Sequence, residues 1–140
     1  DLVNFIFKQK IKKHMISGSK LIRPTIDDVS LRLELESGTQ VTIQNSRLSP
    51  QIIRNYRAVQ SDCTLFVNTA TLEGEFLYSD PTHESLMRTE KIQIPKVDAL
   101  ALEIDHFISA VRGEKSVAIT GFEATQALQQ LENFMQELSH

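Results

Sequence analysis

A chain of 140 residues with 41% hydrophobic and 24% charged side chains is long enough to bury the core of one domain without disulfide or metal staples. Its 15 basic and 18 acidic residues give a formal net charge of −3 with both signs interspersed, which excludes a broad basic footprint for nucleic acid or an anionic membrane. The single cysteine, Cys63, excludes an internal disulfide, and no long apolar run or leader pattern is present, so a reduced, soluble, cytoplasmic protein is expected.

In chain order, Asp1–Phe7 reads as the end of an apolar helix, with Leu2, Val3, Phe5 and Ile6 crowding one side. A chain that opens inside a hydrophobic helix is expected to be a fragment of something longer. Lys10–Ile22 alternates imperfectly and predicts a strand broken at Arg23-Pro24, with Lys10, Lys12, Lys13 and His14 as a solvated, unsticky edge. The clearest periodicity follows. Val29, Leu31, Leu33 and Leu35 alternate with Ser30, Arg32, Glu34 and Glu36, so one face of this strand is dry and the other wet.

Ser37-Gly38-Thr39 supplies a turn, and Val41 and Ile43 resume the alternation, which predicts a hairpin. Further strands are predicted over Ile52–Val59, at Leu65 and Val67 after a Gln60-Ser61-Asp62 turn, at Leu72, Phe76 and Tyr78, and briefly at Ile92 and Ile94. The strands from Asp28 to Val67 are expected to form one antiparallel meander. Between the last two strands, Ser79-Asp80-Pro81-Thr82-His83-Glu84 and the polar residues after it read as a loop.

From Val97 the period becomes helical: Leu100, Ile104, Phe107, Ile108 and Val111 recur on one side, with Gly113 placed as a C-cap. A second helix carries Ala124, Leu128, Leu131, Phe134, Met135 and Leu138, with Thr120 as N-cap and Glu123 completing a capping box. The two apolar stripes are expected to pack on each other and on the dry sheet face. The predicted fold class is α+β: an open, mainly antiparallel or mixed sheet of about six or seven strands with helices packed on one face.

Chemistry-bearing motifs are scarce. The five glycines lie far apart, so no Gly-rich nucleotide fingerprint exists, and Gly113-Glu114-Lys115-Ser116 lacks the upstream glycine of a phosphate loop. His14, His83, His106 and His140 have neither the spacing nor the cysteines of a zinc site, and no catalytic, cofactor-binding or metal-ligating residue is assigned. Cys63 reads as a small turn or core residue. The suggestive stretch is Asn45-Ser46-Arg47-Leu48-Ser49-Pro50-Gln51, leading to Arg54 and Arg57. It is a polar connection between strands, and a guanidinium there can grip a carboxylate or phosphate through paired hydrogen bonds.

The C-terminal helix pair, Leu102-Glu103-Ile104-Asp105-His106-Phe107-Ile108-Ser109-Ala110-Val111-Arg112-Gly113 followed by Thr120-Gly121-Phe122-Glu123-Ala124-Thr125-Gln126-Ala127-Leu128, resembles the ending of the Gfo/Idh/MocA family of sugar dehydrogenases. Asp27-Asp28-Val29, Gly38 in the hairpin and Ser46-Arg47 fit the same family's C-terminal domain, so the resemblance covers nearly the whole chain. It implies that residues 1–140 are a single C-terminal substrate-binding and oligomerisation domain. NAD or NADP would be bound by an N-terminal Rossmann domain outside this chain, and the chain alone would be inactive. The family's Glu-Lys-Pro lysine lies in that other half; Glu114-Lys115 is no substitute, because Ser116 replaces the proline. The family histidine would precede Asp1-Leu2 by three residues, leaving Asp1 a helix residue near the site without a role in proton transfer.

By position, Arg47, Ser49 and Gln51 fall where relatives touch the substrate. The Ser-Arg-x-Ser form looks more like members acting on nucleotide-linked amino sugars than like inositol dehydrogenases, whose aromatic-glycine loop is missing. Cys63 stands where relatives often have glycine after Asp62. The resemblance also implies self-association, as a dimer or higher, through the open sheet face, with a small-molecule sugar as substrate. A competing reading is a free-standing, non-catalytic binding or scaffold module whose arginine-bearing loop holds a small anionic ligand.

Overall fold

The computed structural model describes residues 2–83, 85–117 and 119–138. The expectations placed on Asp1, Glu84, Ala118 and His140 therefore lie outside the described residues. Contacts divide the chain into two units, one running to Leu48 and resuming at His106, the other spanning Ser49–Asp105. The fold is α+β, with seven strands hydrogen-bonded into two antiparallel sheets and three helices among the described residues.

In the first unit the alternation read at Val29–Leu35 becomes β2 (Asp28–Leu35), the central strand between β1 (Ile11–Ser19) and β3 (Gln40–Ser46). Leu31 sits opposite Ile16 on one side and Ile43 on the other, and Leu33 opposite His14 and Val41. Side chains paired across strands share a face, so these residues build the dry side of the sheet. Leu31, Leu33 and Leu35 form its buried core, with Leu35 fully excluded from solvent. Arg32 on the opposite face is exposed. Gly38 takes φ +85° in the β2–β3 turn, the left-handed conformation for which glycine was expected there.

The dry face is partly covered by α3 (Gly121–Glu137), none of whose own residues is fully buried. Leu131, Phe134 and Met135 stand over Ile16, Val29, Leu31 and Ile43, with a small apolar cavity of about 150 Å³ left between them. His14 meets the edge of the Phe134 ring at 4.9 Å, and its Nε2 lies 2.7 Å from Glu137 Oε1. The short helix α1 (Leu2–Phe7) joins this layer where the Asn4 amide donates to Gln130 Oε1 at 3.0 Å. The expected capping box is formed: Glu123 N–H donates to the Thr120 hydroxyl at 3.2 Å, and Glu123 Oε2 accepts the Thr120 N–H at 2.8 Å.

The second unit is a four-stranded sheet in the order of the chain, β4 (Asn55–Val59), β5 (Cys63–Asn68), β6 (Glu73–Ser79) and β7 (Met87–Gln93). The meander expected from Asp28 to Val67 is thus broken between β3 and β4. Ile52 and Ile53 precede β4 as exposed irregular chain. Strand β7 is longer than expected, because Arg88, Thr89 and Glu90, read as loop for their polarity, pair with Tyr78, Leu77 and Phe76. An edge strand with a solvated face tolerates such residues.

The helix α2 (Ala99–Val111) forms as the spacing predicts and ends at Gly113, which takes φ +73° and donates its N–H to the Ala110 carbonyl at 3.0 Å. Its stripe does not find the expected cover. Leu100, Phe107 and Val111 are each at least 65% exposed, and Ser109 is the helix's one buried residue. The sheet-covering role falls to α3.

Candidate substrate-contact loop

Strand β3 delivers the chain to the loop singled out by sequence. At its exit the Arg47 N–H donates to the Asp27 carbonyl at 2.8 Å, which pins the first residue beyond the sheet while the Arg47 side chain extends into solvent. The Leu48 N–H donates to Ser46 Oγ at 3.3 Å, a serine turn that reverses the chain locally. The Ser49 hydroxyl donates to the Gln51 carbonyl at 2.7 Å and accepts the Gln51 N–H at 3.4 Å. Arg47 belongs to the first unit, and Ser49 and Gln51 belong to the second.

Behind Arg47 lies a residue that sequence reading noted only as part of a resemblance. Asp27 is 3% exposed, and its Oδ2 accepts three successive backbone N–H groups, from Leu21 at 3.1 Å, Ile22 at 2.8 Å and Arg23 at 3.0 Å. These bonds favour the charged form, those from Ile22 and Arg23 most, and hold the carboxyl below its usual range against the opposing effect of burial. The sequence signal was available: an aspartate a few residues after a strand break, just ahead of an alternating run, is placed to accept from the preceding turn.

Within the second unit, the face of the sheet that carries Arg57, Glu75 and Lys91 forms a wide, open depression of about 950 Å³. Arg57 stands opposite Phe66, Phe66 opposite Glu75 and Glu75 opposite Lys91, so one row across the four strands reads cation, aromatic ring, carboxylate, cation. Arg57 was singled out in the sequence; Lys91 was not, because its strand was read as loop.

Cys63 opens β5 rather than sitting in the turn, and its carbonyl accepts the Gln60 N–H at 2.9 Å. Burial, reinforced by the Asp62 carboxylate, pushes its thiol above the ordinary value, so it is held as a thiol and is a poor nucleophile at neutral pH. Among the described residues no group of three or more His, Cys, Asp or Glu side chains is gathered that could hold a metal ion. No helix of the described residues is long and apolar enough to cross a membrane.

Neither protein-family profiles nor curated proteins give a match to this chain. Solved structures do. UDP-N-acetylglucosamine 3-dehydrogenase GnnA from Acidithiobacillus ferrooxidans, in two crystal forms, superimposes with TM-scores of 0.77 and 0.73 at 21% identity. The better of these covers 91% of this chain and 41% of that one. A proposed NADPH-dependent oxidoreductase from Desulfitobacterium hafniense DCB-2 gives a TM-score of 0.72 at 15% identity, covering 86% of this chain and 37% of that one. At such identities the likeness is one of fold. The chain spans about two fifths of the length of these proteins.

Proposed function

We propose that this chain is the C-terminal domain of an NAD(P)-dependent oxidoreductase of the Gfo/Idh/MocA type, acting on a nucleotide-linked sugar. The observation that carries the reading is the match of 91% of the chain to part of a nucleotide-sugar dehydrogenase at a TM-score of 0.77. The C-terminal helix pair that resembles this family adds to it from sequence.

In this reading NAD or NADP is held by a Rossmann domain outside the chain, and the cofactor supplies hydride transfer when bound. The chain's own glycines, at 18, 38, 74, 113 and 121, nowhere form the paired turn that lets a backbone approach a pyrophosphate, so no step is routed through these residues. What the chain contributes is binding. Arg47 grips an anionic oxygen of the ligand through its fork of N–H donors, and Ser49 and Gln51 supply neutral hydrogen bonds that orient the sugar. The Ser49 hydroxyl gives up its bond to the Gln51 carbonyl to do so. The open β4–β7 face pairs with a second subunit: the Arg57–Phe66–Glu75–Lys91 row is self-complementary under a two-fold axis, which sets Arg57 of one copy against Glu75 of the other.

The test is to express the gene with all of its upstream coding sequence and assay NAD+ and NADP+ reduction with UDP-N-acetylglucosamine. The expected result is turnover, with Arg47→Ala raising KM about tenfold, the loss of roughly 1.5 kcal/mol that a charged hydrogen-bonding contact provides. A protein that binds the nucleotide sugar tightly through Arg47 yet reduces neither cofactor would instead make the chain a binding module. Sedimentation that finds only monomer at tens of micromolar would remove the pairing of the sheet face.

A further inference from the structure

Asp27 makes more hydrogen bonds than a strand start requires. Its carboxylate gathers the N–H groups of Leu21, Ile22 and Arg23, its own N–H donates to the Ser19 carbonyl at 2.9 Å, and its carbonyl accepts from Arg47. One residue thereby joins the end of β1, the loop after it, the start of β2 and the first residue beyond β3. We infer that Asp27 is a positioning residue for the ligand contact at Arg47: its buried carboxylate fixes the peptide that anchors the Arg47 backbone. The inference rests on the reading of Arg47 given above.

The physical chain is short. A carboxylate that is 3% exposed and bonded to three N–H groups cannot rotate away without stranding a buried anion and giving up three hydrogen bonds. The side-chain torsion of Asp27 is therefore fixed. The backbone of the same residue is held on both sides, its N–H bonded to the Ser19 carbonyl at 2.9 Å and its carbonyl receiving the Arg47 N–H at 2.8 Å, so the carboxylate and the carbonyl are restrained together. An arginine carries several rotatable bonds, and its affinity for a bound anion depends on how little freedom remains to be lost on binding. A fixed origin for that side chain removes part of the cost. Arg47 is exposed and has no such constraint from packing.

The experiment compares the full-length protein with Arg47→Ala, Asp27→Asn and the double variant, by calorimetric affinity for UDP-N-acetylglucosamine and by thermal melting. Asparagine keeps an acceptor oxygen but loses the charge, and is expected to weaken binding about three- to tenfold, with Arg47→Ala weakening it about tenfold. The deciding result is the double variant, which is expected to bind no more weakly than Arg47→Ala alone, because Asp27 acts through Arg47. A general loss of fold would move the melting temperature and weaken binding by the same factor in both backgrounds, and would overturn the inference. So would unchanged affinity in Asp27→Asn while Arg47→Ala loses its tenfold. Unchanged affinity in Arg47→Ala withdraws the contact itself, a separate outcome that takes the inference with it. If Asp27→Asn does not fold, Asp27→Glu, which keeps the charge but displaces the oxygens by one methylene, is expected to give the same dependence on Arg47, and additive losses there refute it.

Discussion

Leu35→Ala is the sharpest probe of the first unit. The side chain is fully buried at the end of β2, opposite Ile11 of β1. Removing three of its carbons forfeits roughly 0.8 kcal/mol each, about 2.4 kcal/mol in transfer free energy. The hole left behind raises the total to about 2.5 to 5 kcal/mol, depending on how far the neighbours collapse. Against a domain stability of roughly 5 to 15 kcal/mol this is a large fraction. At about 4 °C per kcal/mol for a unit of this size, it lowers the melting temperature by roughly 10 to 20 °C.

The chain offers a spectroscopic separation of its two units. It has no tryptophan, and its two tyrosines, Tyr56 and Tyr78, both lie in the second unit. Tyrosine fluorescence therefore follows β4–β7, while amide exchange at β2 and α3 follows the first unit. Leu35→Ala should accelerate exchange at β2 strongly. Ile53→Ala, at a side chain 63% exposed, should leave it unchanged. Equal effects from the two substitutions would mean that the β1–β3 face is not a core at all, and the packing described for it would have to be abandoned.

Three further outcomes follow from local geometry. Gly38→Ala meets no atom within 4 Å, so its whole cost is the backbone strain of φ +85°, about 1 to 2 kcal/mol in urea unfolding; a neutral result would mean the turn is not left-handed. Thr120→Ala removes the N-cap of α3 and should cost about 1 kcal/mol, with faster amide exchange confined to the first turn of that helix. Asp27 contributes to the acid limb, alongside Glu34, Asp80 and Glu123, whose carboxyls are also held below their ordinary values by hydrogen bonds. The folded pKa of Asp27 lies below the ordinary value, so its stabilisation is complete above the unfolded carboxyl pKa of about 3.9 and is lost as pH falls through the lower folded value. Asp27→Asn should therefore flatten the fall of the urea midpoint below about pH 4, and an unchanged slope there would assign acid lability to other carboxylates.

Much of this architecture is legible in the residues because burial is one-sided. Val29, Leu31, Leu33 and Leu35 alternate strictly since one face of β2 meets α3 and the other meets water, and the same asymmetry sets the stripe of α3. Legibility fails where that asymmetry fades. Strand β7 has only Ile92 half-buried, so Arg88, Thr89 and Glu90 gave no period, and the backbone pairing that makes them a strand is invisible to hydropathy. The break between β3 and β4 was missed for a related reason: Ile52 and Ile53 look like strand residues, yet both are exposed. The apolar stripe of α2 was read correctly as a stripe and wrongly as core. At the candidate site, a guanidinium in a polar loop marks Arg47 from sequence alone. For Asp27 the residues signal only an acceptor for the preceding turn, an aspartate between a strand break and an alternating run; its bond to the Arg47 N–H joins residues 20 apart and has no such signal.

The first unit takes its sheet from the early part of the chain and its covering helix from the late part, with the second unit made in between. During synthesis β3 leaves the ribosome roughly 75 residues ahead of α3, an interval of about 4 to 15 s at ordinary elongation rates. Through that interval the hairpins of β1, β2 and β3 can pair, since their contacts are local, but Leu31 and its neighbours have nothing above them. The four-stranded sheet, contiguous in sequence, can finish first. The nascent chain thus carries an uncovered leucine face for seconds, and a ribosomal pause before Gly121 would lengthen the time in which that face can recruit a chaperone or another nascent chain.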